Sequence, residues 1–588
     1  MKWRIKNYSK GLKMTDFKDI IAEKIYDESL GLSLQDIKSM IEIPADEKMG
    51  DYAFPCFRLA KALRKAPQLI AADIAAKAGD SEAFAKVENV NAYVNFFIDR
   101  AYFAGEVVEE VNKLGPEYGR SDYGQGRKVI VEYSSPNIAK PFHIGHIRST
   151  VIGNALYKLY DAVGYDVTRI NHLGDYGTQF GKMIVAYRRW GSEEELAKEP
   201  IKALLGYYTR FHEEAKEHPE LEDEARETFV RLEAGEPEEL ELWEKFRKLS
   251  LEEFNRVYDM LGITFDSYAG ESFYSDKMPR FIQELKDKGL LVESQGAQIV
   301  DLEPYGLGAA MITKSDGSSL YVTRDIAAAV YRKEHYDFYK CIYVVASQQN
   351  LHFKQWKKVL ELMGYEWEKD CVHVPFGLVS LSDGDDIKMM STREGRVVFL
   401  EDVLNTAVAK TAEIMREKDA QGVDIDEVSK EVGIGAVIFQ ELSNNKIKDY
   451  VFSWDKVLNF DGETGPYVQY THARASSVLR KAAAAGVDVD SLGSIDPSYL
   501  GSDSAYTLAK LLYRVPEVIL EAAEKYEPSI VTRHLVDIAQ SFNKFYHDEH
   551  ILVDDEKERT AKLALVKASK TVIANCLGLL GIAAPERM

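Results

Sequence analysis

Residues Val129 to Val151 read VIVEYSSPNIAKPFHIGHIRSTV. A short apolar run suited to one buried strand passes into a polar loop containing Pro136 and Pro141, and the loop opens into a helix at His143-Ile144-Gly145-His146. A strand apolar on both faces belongs in a parallel sheet covered by helices. A helix that begins beyond the carboxyl edge of such a sheet turns unpaired N–H groups and a partial positive charge toward whatever binds there. The block therefore predicts a phosphate site. His143 and His146, three residues apart, are placed to hydrogen-bond phosphate oxygens as charge develops on them, and Gly145 leaves room for a flat ring to approach the backbone. The competing reading of either histidine is a helix-start residue satisfied by neighbouring carbonyls.

The surrounding chain extends that reading. From 121 to 400, apolar strands such as KVIVEY and CIYVVAS alternate with amphipathic helices, the pattern of a Rossmann-like parallel sheet. A charged helical stretch, about 190–257, interrupts it between its two halves. Residues 14–120 read as helix, helix and a strand-like VENVNAYVNFFID, hence a small α+β domain. Beyond 401 strand signals fade, and long helical patterns run to the final AKLALVKASKTVIANCLGLLG, whose Gly581 suits a helix C-terminus. The expected fold is a multi-domain α/β chain: an N-terminal α+β domain, an interrupted Rossmann-like core, and a C-terminal all-α bundle over 401–588. Residues 1–13 carry Lys2, Arg4, Lys6, Lys10 and Lys13 with no acid and precede a second methionine, Met14. They read as an added extension or upstream start, with a targeting or RNA-binding arm as the alternative.

At 588 residues, with 46% hydrophobic and 29% charged side chains, the chain has material for several buried cores. It contains no apolar stretch long enough for a membrane span and no signal-peptide pattern at its amino end, so a cytoplasmic location is expected. Cys56, Cys341, Cys371 and Cys576 are scattered, form no CxxC pair, and read as small buried hydrophobes, so no bound zinc is expected. A net charge of −21 weighs against phosphate-backbone binding over the whole surface, although much of the acid lies in Glu213 to Glu244, read as a solvated helical face.

The block SSPNIAKPFHIGHIRST resembles the histidine signature of class I aminoacyl-tRNA synthetases in its arginyl form. The resemblance covers nearly everything from Met14 to Met588. It implies a class I catalytic core at 121–400, an N-terminal tRNA-contacting domain, and an anticodon-binding bundle at 401–588. The substrates implied are L-arginine, Mg-ATP and tRNA(Arg), and a monomer is expected. The family's mobile lysine loop corresponds to Lys388-Met389-Met390-Ser391-Thr392-Arg393, with Lys388 and Ser391 as its functional members. Thr392 stands where the second lysine is usual. Lys140, just upstream of the histidines, is the substitute cation, against the plainer reading of a solvated lysine.

Arginine recognition calls for carboxylates, because guanidinium is planar, permanently charged and best held by bidentate acceptors. Glu132 ends the first strand, where a buried acid needs a cationic partner. Asp325, in SSLYVTRDIAAAV, lies where a strand is expected to feed a helix; an acid that merely complements the helix dipole is the alternative. In the family the segments VEYSSPN, LYVTRD and ASQQNLH line the amino-acid site. That carries Glu132, Tyr321 and Asp325 toward the guanidinium, Asn137 and Gln349 toward the α-amino and carboxylate end, and Ser135 into the same amino-acid site. Tyr321 is equally a core aromatic and Gln349 a helix-start residue. HLGDYGTQFG, His172 to Gly181, also matches the family but carries no assigned chemical role.

In Phe460 to Leu479, the residues Tyr467, Tyr470, His472 and Arg474 are spaced as neighbours on one helical face. Aromatic faces with an arginine suit unpaired bases, each stack contributing on the order of 1–3 kcal/mol, whereas an aromatic core stripe is the plainer reading. Phe545, Tyr546 and the terminal Met588 join the candidate tRNA surface. Two other functions remain open: a sister class I synthetase for another amino acid, and a non-catalytic RNA-binding paralogue.

Overall fold

In the computed structural model the described residues are 16–79, 81–313, 321–383, 386–388, 398–417 and 422–588. The central sheet is four-stranded, in the order Cys371–Phe376, Lys340–Ala346, Lys128–Glu132, Asp166–Ile170. Every pair in it is parallel. Val129, Ile130 and Val131 are fully buried, as strands covered on both faces require. Helix Ile147–Ala162 returns the chain from the first strand to Asp166–Ile170, and helix Asn350–Leu362 connects the other two. Five helices run between Thr178 and Leu261, four of them over the stretch read as an insertion at about 190–257.

The acids of that insertion are not simply solvated. Glu239 is buried and held by Arg188 and Arg231, each at 2.9 Å, and Glu222 and Glu224 pair with Lys182 and Arg189. Glu239 is thus neutralised inside the helical layer, and Glu222 and Glu224 are paired at its surface.

Three details differ from the sequence reading. VENVNAYVNFFID is two antiparallel strands, Phe84–Val90 and Tyr93–Ile98, because Asn91 takes a left-handed φ of 55° and turns the chain. The two strands join Tyr52–Pro55 in a three-stranded sheet. The YVT before Asp325 is helical, within Tyr321–Tyr336, because Val322, Ile326 and Val330 recur at helical spacing and are all buried. A further antiparallel sheet, Leu291–Ser294, Ala297–Asp301 and Ala309–Thr313, stands where parallel strands were expected.

Among the described residues the last third is helical apart from strand Tyr450–Phe452, which pairs in parallel with Val379–Asp383, itself paired with Asp386–Lys388. The final helix, Glu556–Leu579, ends as expected, with Gly581 just beyond it at φ 76°. All four cysteines are buried. The N-terminal domain docks on the helical bundle through Phe17, Phe103 and Tyr513, whose rings meet at 4.9 to 5.7 Å, and through the ion pair Arg100–Asp503 at 2.5 Å.

Candidate active site

The loop after Lys128–Glu132 is held in a costly conformation. Ser134, Ser135 and Ala139 all have left-handed φ, at 69°, 48° and 58°, each costing roughly 1–3 kcal/mol for a residue with a Cβ. Hydrogen bonds offset this. The Ser134 N–H donates to Ser149 Oγ at 3.0 Å, and its hydroxyl lies 2.8 Å from both Thr150 Oγ1 and Tyr258 Oη. The Ala139 N–H donates to Ser250 Oγ at 2.8 Å. The signature helix and the last insertion helix together shape the loop.

The histidine signature forms a single 3-10 turn, Ile144–His146, ahead of helix Ile147–Ala162. The Gly145 N–H donates to His143 Nδ1 at 3.1 Å, and the His143 N–H to His146 Nδ1 at 3.2 Å. The histidines therefore accept helix-start N–H groups that the sequence reading left for phosphate. With Nδ1 accepting, a neutral His143 carries its proton on Nε2, whereas His146 Nδ1 also lies 3.2 Å from the His143 carbonyl, to which it would donate in the other tautomer. Burial pushes His143 down to about 4. Burial, reinforced by His143 and Lys140, holds His146 well below the usual imidazole range. Both rings are neutral at pH 7. They lie 4.0 Å apart and line a pocket of about 350 Å³ with Ser135, Gly145, Val344–Ala346 and Gly377–Ser380.

Lys140 lines an adjoining pocket of about 1000 Å³ together with Asn137, Tyr208 and Lys182, and its ammonium lies 5.5 Å from the Tyr208 ring centre. Lys388 ends the strand Asp386–Lys388. Ser391 and the rest of its loop lie outside the described residues, as do residues 1–13, and so does the side chain of Tyr321.

For the acids the structure corrects the argument. The cation that Glu132 requires is the protein's own: Arg332, fully buried, reaches Glu132 Oε2 at 2.5 Å. Asp325 sits in the second turn of its helix, seven residues and about two turns before Arg332. It pairs with His352 Nε2. Burial lowers the proton affinity of His352, but the hydrogen bond and charge of Asp325 outweigh it and raise the imidazole above its ordinary value. The neighbouring Arg324 donates to Glu271 at 2.6 Å. Asn137 is exposed and forms a parallel bridge with Gly174. Gln349 is exposed in the turn that follows strand Lys340–Ala346.

Sequence reasoning missed Arg332 and His352. The first had a signal, since a buried acid demands a cation and Arg332 shares a helical face with Asp325. The second had none, because it depends on how two helices pack.

At the far end of the chain, Tyr470 and Tyr546 are 42% and 39% exposed. The Arg474 guanidinium lies between them, 4.9 and 5.3 Å from the ring centres. They border a concavity of about 380 Å³ with Arg480, Lys481, Arg587 and Met588, and no Asp or Glu side chain among the described residues lines it. A basic surface thus exists despite the net negative charge. Two sequence expectations fail here. Phe545 is 1% exposed and belongs to the core. His472 points inward to the Pro585 carbonyl at 2.9 Å, off the face that carries Tyr470 and Arg474. Tyr467 is half-buried, its hydroxyl accepting from Asn543 at 3.0 Å.

A parallel nucleotide-binding sheet, an interrupting helical insertion, a histidine pair at the first helix and a separate helical domain define a class I aminoacyl-tRNA synthetase. Residues 112–454 match the family model for the catalytic domain of class I (R) tRNA synthetases, 468–588 the DALR anticodon binding domain, and 15–98 the arginyl tRNA synthetase N-terminal domain. The chain belongs to the arginyl-tRNA synthetase family. It is 57% identical to the arginine–tRNA ligase of Clostridioides difficile and 56% identical to that of Halothermothrix orenii, over 98% of this chain and 100% of each relative. The arginyl-tRNA synthetase of Thermus thermophilus has the same fold, with TM-score 0.74, 25% identity, and 97% and 99% of the two chains covered.

Proposed function

We propose that this site joins L-arginine to ATP as arginyl-adenylate and passes the arginyl group to the terminal adenosine of tRNA(Arg). In the first step an arginine carboxylate oxygen attacks the α-phosphorus, the bond to the β-phosphate breaks, and pyrophosphate leaves. In the second the 2′-hydroxyl attacks the arginyl carbonyl and AMP leaves. Positioning and charge stabilisation supply the catalysis. His143 donates from Nε2 to a phosphate oxygen, and His146 lines the same pocket beside it. Lys140, close enough to depress the proton affinity of His146, serves the departing phosphates with Lys388 and Ser391. Magnesium arrives with ATP as part of the substrate.

Asp325 takes the guanidinium, with Tyr321 beside it, because its present partner is a titratable imidazole that a permanent cation can displace. Glu132, already held by Arg332, fixes the wall of that end of the pocket. Asn137 and Gln349 serve the α-amino and carboxylate end, with Ser135 in the same amino-acid site. Tyr470, Arg474, Tyr546 and Met588 contact the anticodon loop, and Tyr467 supports them. One chain builds both surfaces, so a monomer suffices, and we place it in the cytoplasm.

The observation that supports this reading best is that the histidine pocket and Asp325 share one edge of the sheet. Asp325 pairs with His352 in the first turn of the helix that follows the carboxyl end of strand Lys340–Ala346, and Val344–Ala346 of that strand line the histidine pocket. The test is ATP–pyrophosphate exchange with each of the twenty amino acids, with and without tRNA. Exchange with arginine alone, abolished or severely weakened in Asp325→Ala, is expected. Exchange driven by another amino acid would refute the guanidinium pocket, and none with any, from folded protein that binds tRNA, would refute catalysis.

A further inference from the structure

We propose that the segment His172–Asp175, from the motif without an assigned role, sets the two ends of the amino-acid site relative to each other, with Gly174 and Asp175 as positioning residues for Asn137. This rests on the reading that Asn137 meets the α-amino or carboxylate end of arginine.

The segment touches both ends. At one, Gly174 forms a parallel bridge with Asn137: its N–H donates to the Pro136 carbonyl at 3.1 Å, and its own carbonyl accepts from Ile138 at 3.2 Å. A Cβ on Gly174 would lie 1.8 Å from Asn137 Oδ1, far inside contact distance, so only glycine lets the amide sit where it does. At the other end His172 Nδ1 lies 3.4 Å from Arg332 Nη2, whose Nη1 holds Glu132.

Asp175 anchors the segment. It is 1% exposed, and its carboxylate accepts from the Ser272 N–H at 2.8 Å and the Ser272 hydroxyl at 2.9 Å, with Arg247 Nε at 3.4 Å. Its carbonyl accepts from Trp243 Nε1 at 2.8 Å. A buried carboxylate with several donors has one orientation and is costly to move. The donors come from the last insertion helix and from the turn at Ser272, so the insertion is tied through Asp175 and Gly174 to the loop that carries Asn137.

The test is the KM for arginine and for ATP in tRNA-supported exchange, with circular dichroism to verify folding, for Gly174→Ala, Asp175→Asn, Ser272→Ala, Asn137→Ala and the Gly174→Ala/Asn137→Ala pair. Gly174→Ala and Asp175→Asn are expected to raise the arginine KM about tenfold or more, with ATP KM within about twofold. Ser272→Ala, which removes one hydroxyl, is expected to raise it roughly threefold, and it decides the matter if the other two do not fold. Because Gly174 acts through Asn137, the double variant should be no worse than Asn137→Ala alone. Unchanged arginine KM, equal changes for both substrates, or additive effects in the double variant would overturn the positioning role. A wild-type protein without arginine-dependent exchange is a different result, which would sink the arginine reading itself.

Discussion

Replacing Arg148 by methionine tests how the wall of the nucleotide pocket is held. Arg148 follows the histidine signature and is fully buried. Its Nη1 donates to the Gly377 carbonyl at 3.0 Å and the Lys448 carbonyl at 2.7 Å, and its Nη2 to the Asn445 carbonyl at 3.4 Å. Its Nε is 3.5 Å from Glu441 Oε2. Gly377 lines the pocket, so this guanidinium ties the pocket to the helical region. Methionine fills most of the volume but orphans the carbonyls. Two good hydrogen bonds from a charged donor contribute about 1.5–3 kcal/mol each. Glu441 limits any further cost because burial, only partly countered by Arg148, pushes it up to about 7, so it can take a proton instead of standing as a lone charge. The expected loss is about 3–5 kcal/mol, in the range for breaking a buried pair. By scanning calorimetry that is a fall of roughly 10 °C in the transition of the catalytic core. ATP KM should rise about tenfold, while arginine KM moves little. A fall below about 3 °C with unchanged ATP KM would refute the anchoring argument.

Glu441→Gln should become more stable relative to wild type as pH rises from about 4.5 to 7, and the difference should level off above 7. The folded pKa is raised from the ordinary 4.5 to about 7, so the carboxyl's stabilising contribution is full below 4.5 and is lost as pH passes through 7; pH-independent melting differences would argue against it. His143 has the opposite linkage. Its folded pKa is lowered from 6.5 to about 4, so its contribution is intact above 6.5 and declines as pH falls toward 4. The exchange rate should therefore show no imidazole inflection near 6.5, and finding one that disappears in His143→Gln would contradict a neutral donor. Tyr470→Ala should weaken tRNA binding by about 1–3 kcal/mol in a filter assay without lowering the melting temperature. Phe545→Ala should do the reverse, costing about 3–5 kcal/mol of stability; equal binding losses in both would undo the distinction between them.

What the sequence determined by itself is local. Strand, loop and helix from Val129 to Val151 are adjacent in the chain, and their apolar run, prolines and histidine turn specify one another without distant help. The same holds for Gly581 beyond the last helix. Ambiguity begins where one pattern fits two periods. Tyr321-Val322-Thr323 has strand residues, yet burial at helical spacing prevailed, and VENVNAYVNFFID needed the left-handed Asn91 to become two strands. Phe545 and Tyr546 are chemically alike neighbours, but about 100° of helical rotation puts one in the core and the other in solvent, and only the packing of the bundle chooses which.

Partnership was the least legible. Glu132 meets Arg332, Asp325 meets His352 and Gly174 meets Asn137 across helices, strands and loops from different stretches of the chain. Propensity and periodicity say that a buried acid must have a cation, but not whether substrate or protein supplies it. Tertiary structure decided that, because desolvation obliges each buried charge to find a partner while the fold alone determines which residues come within reach.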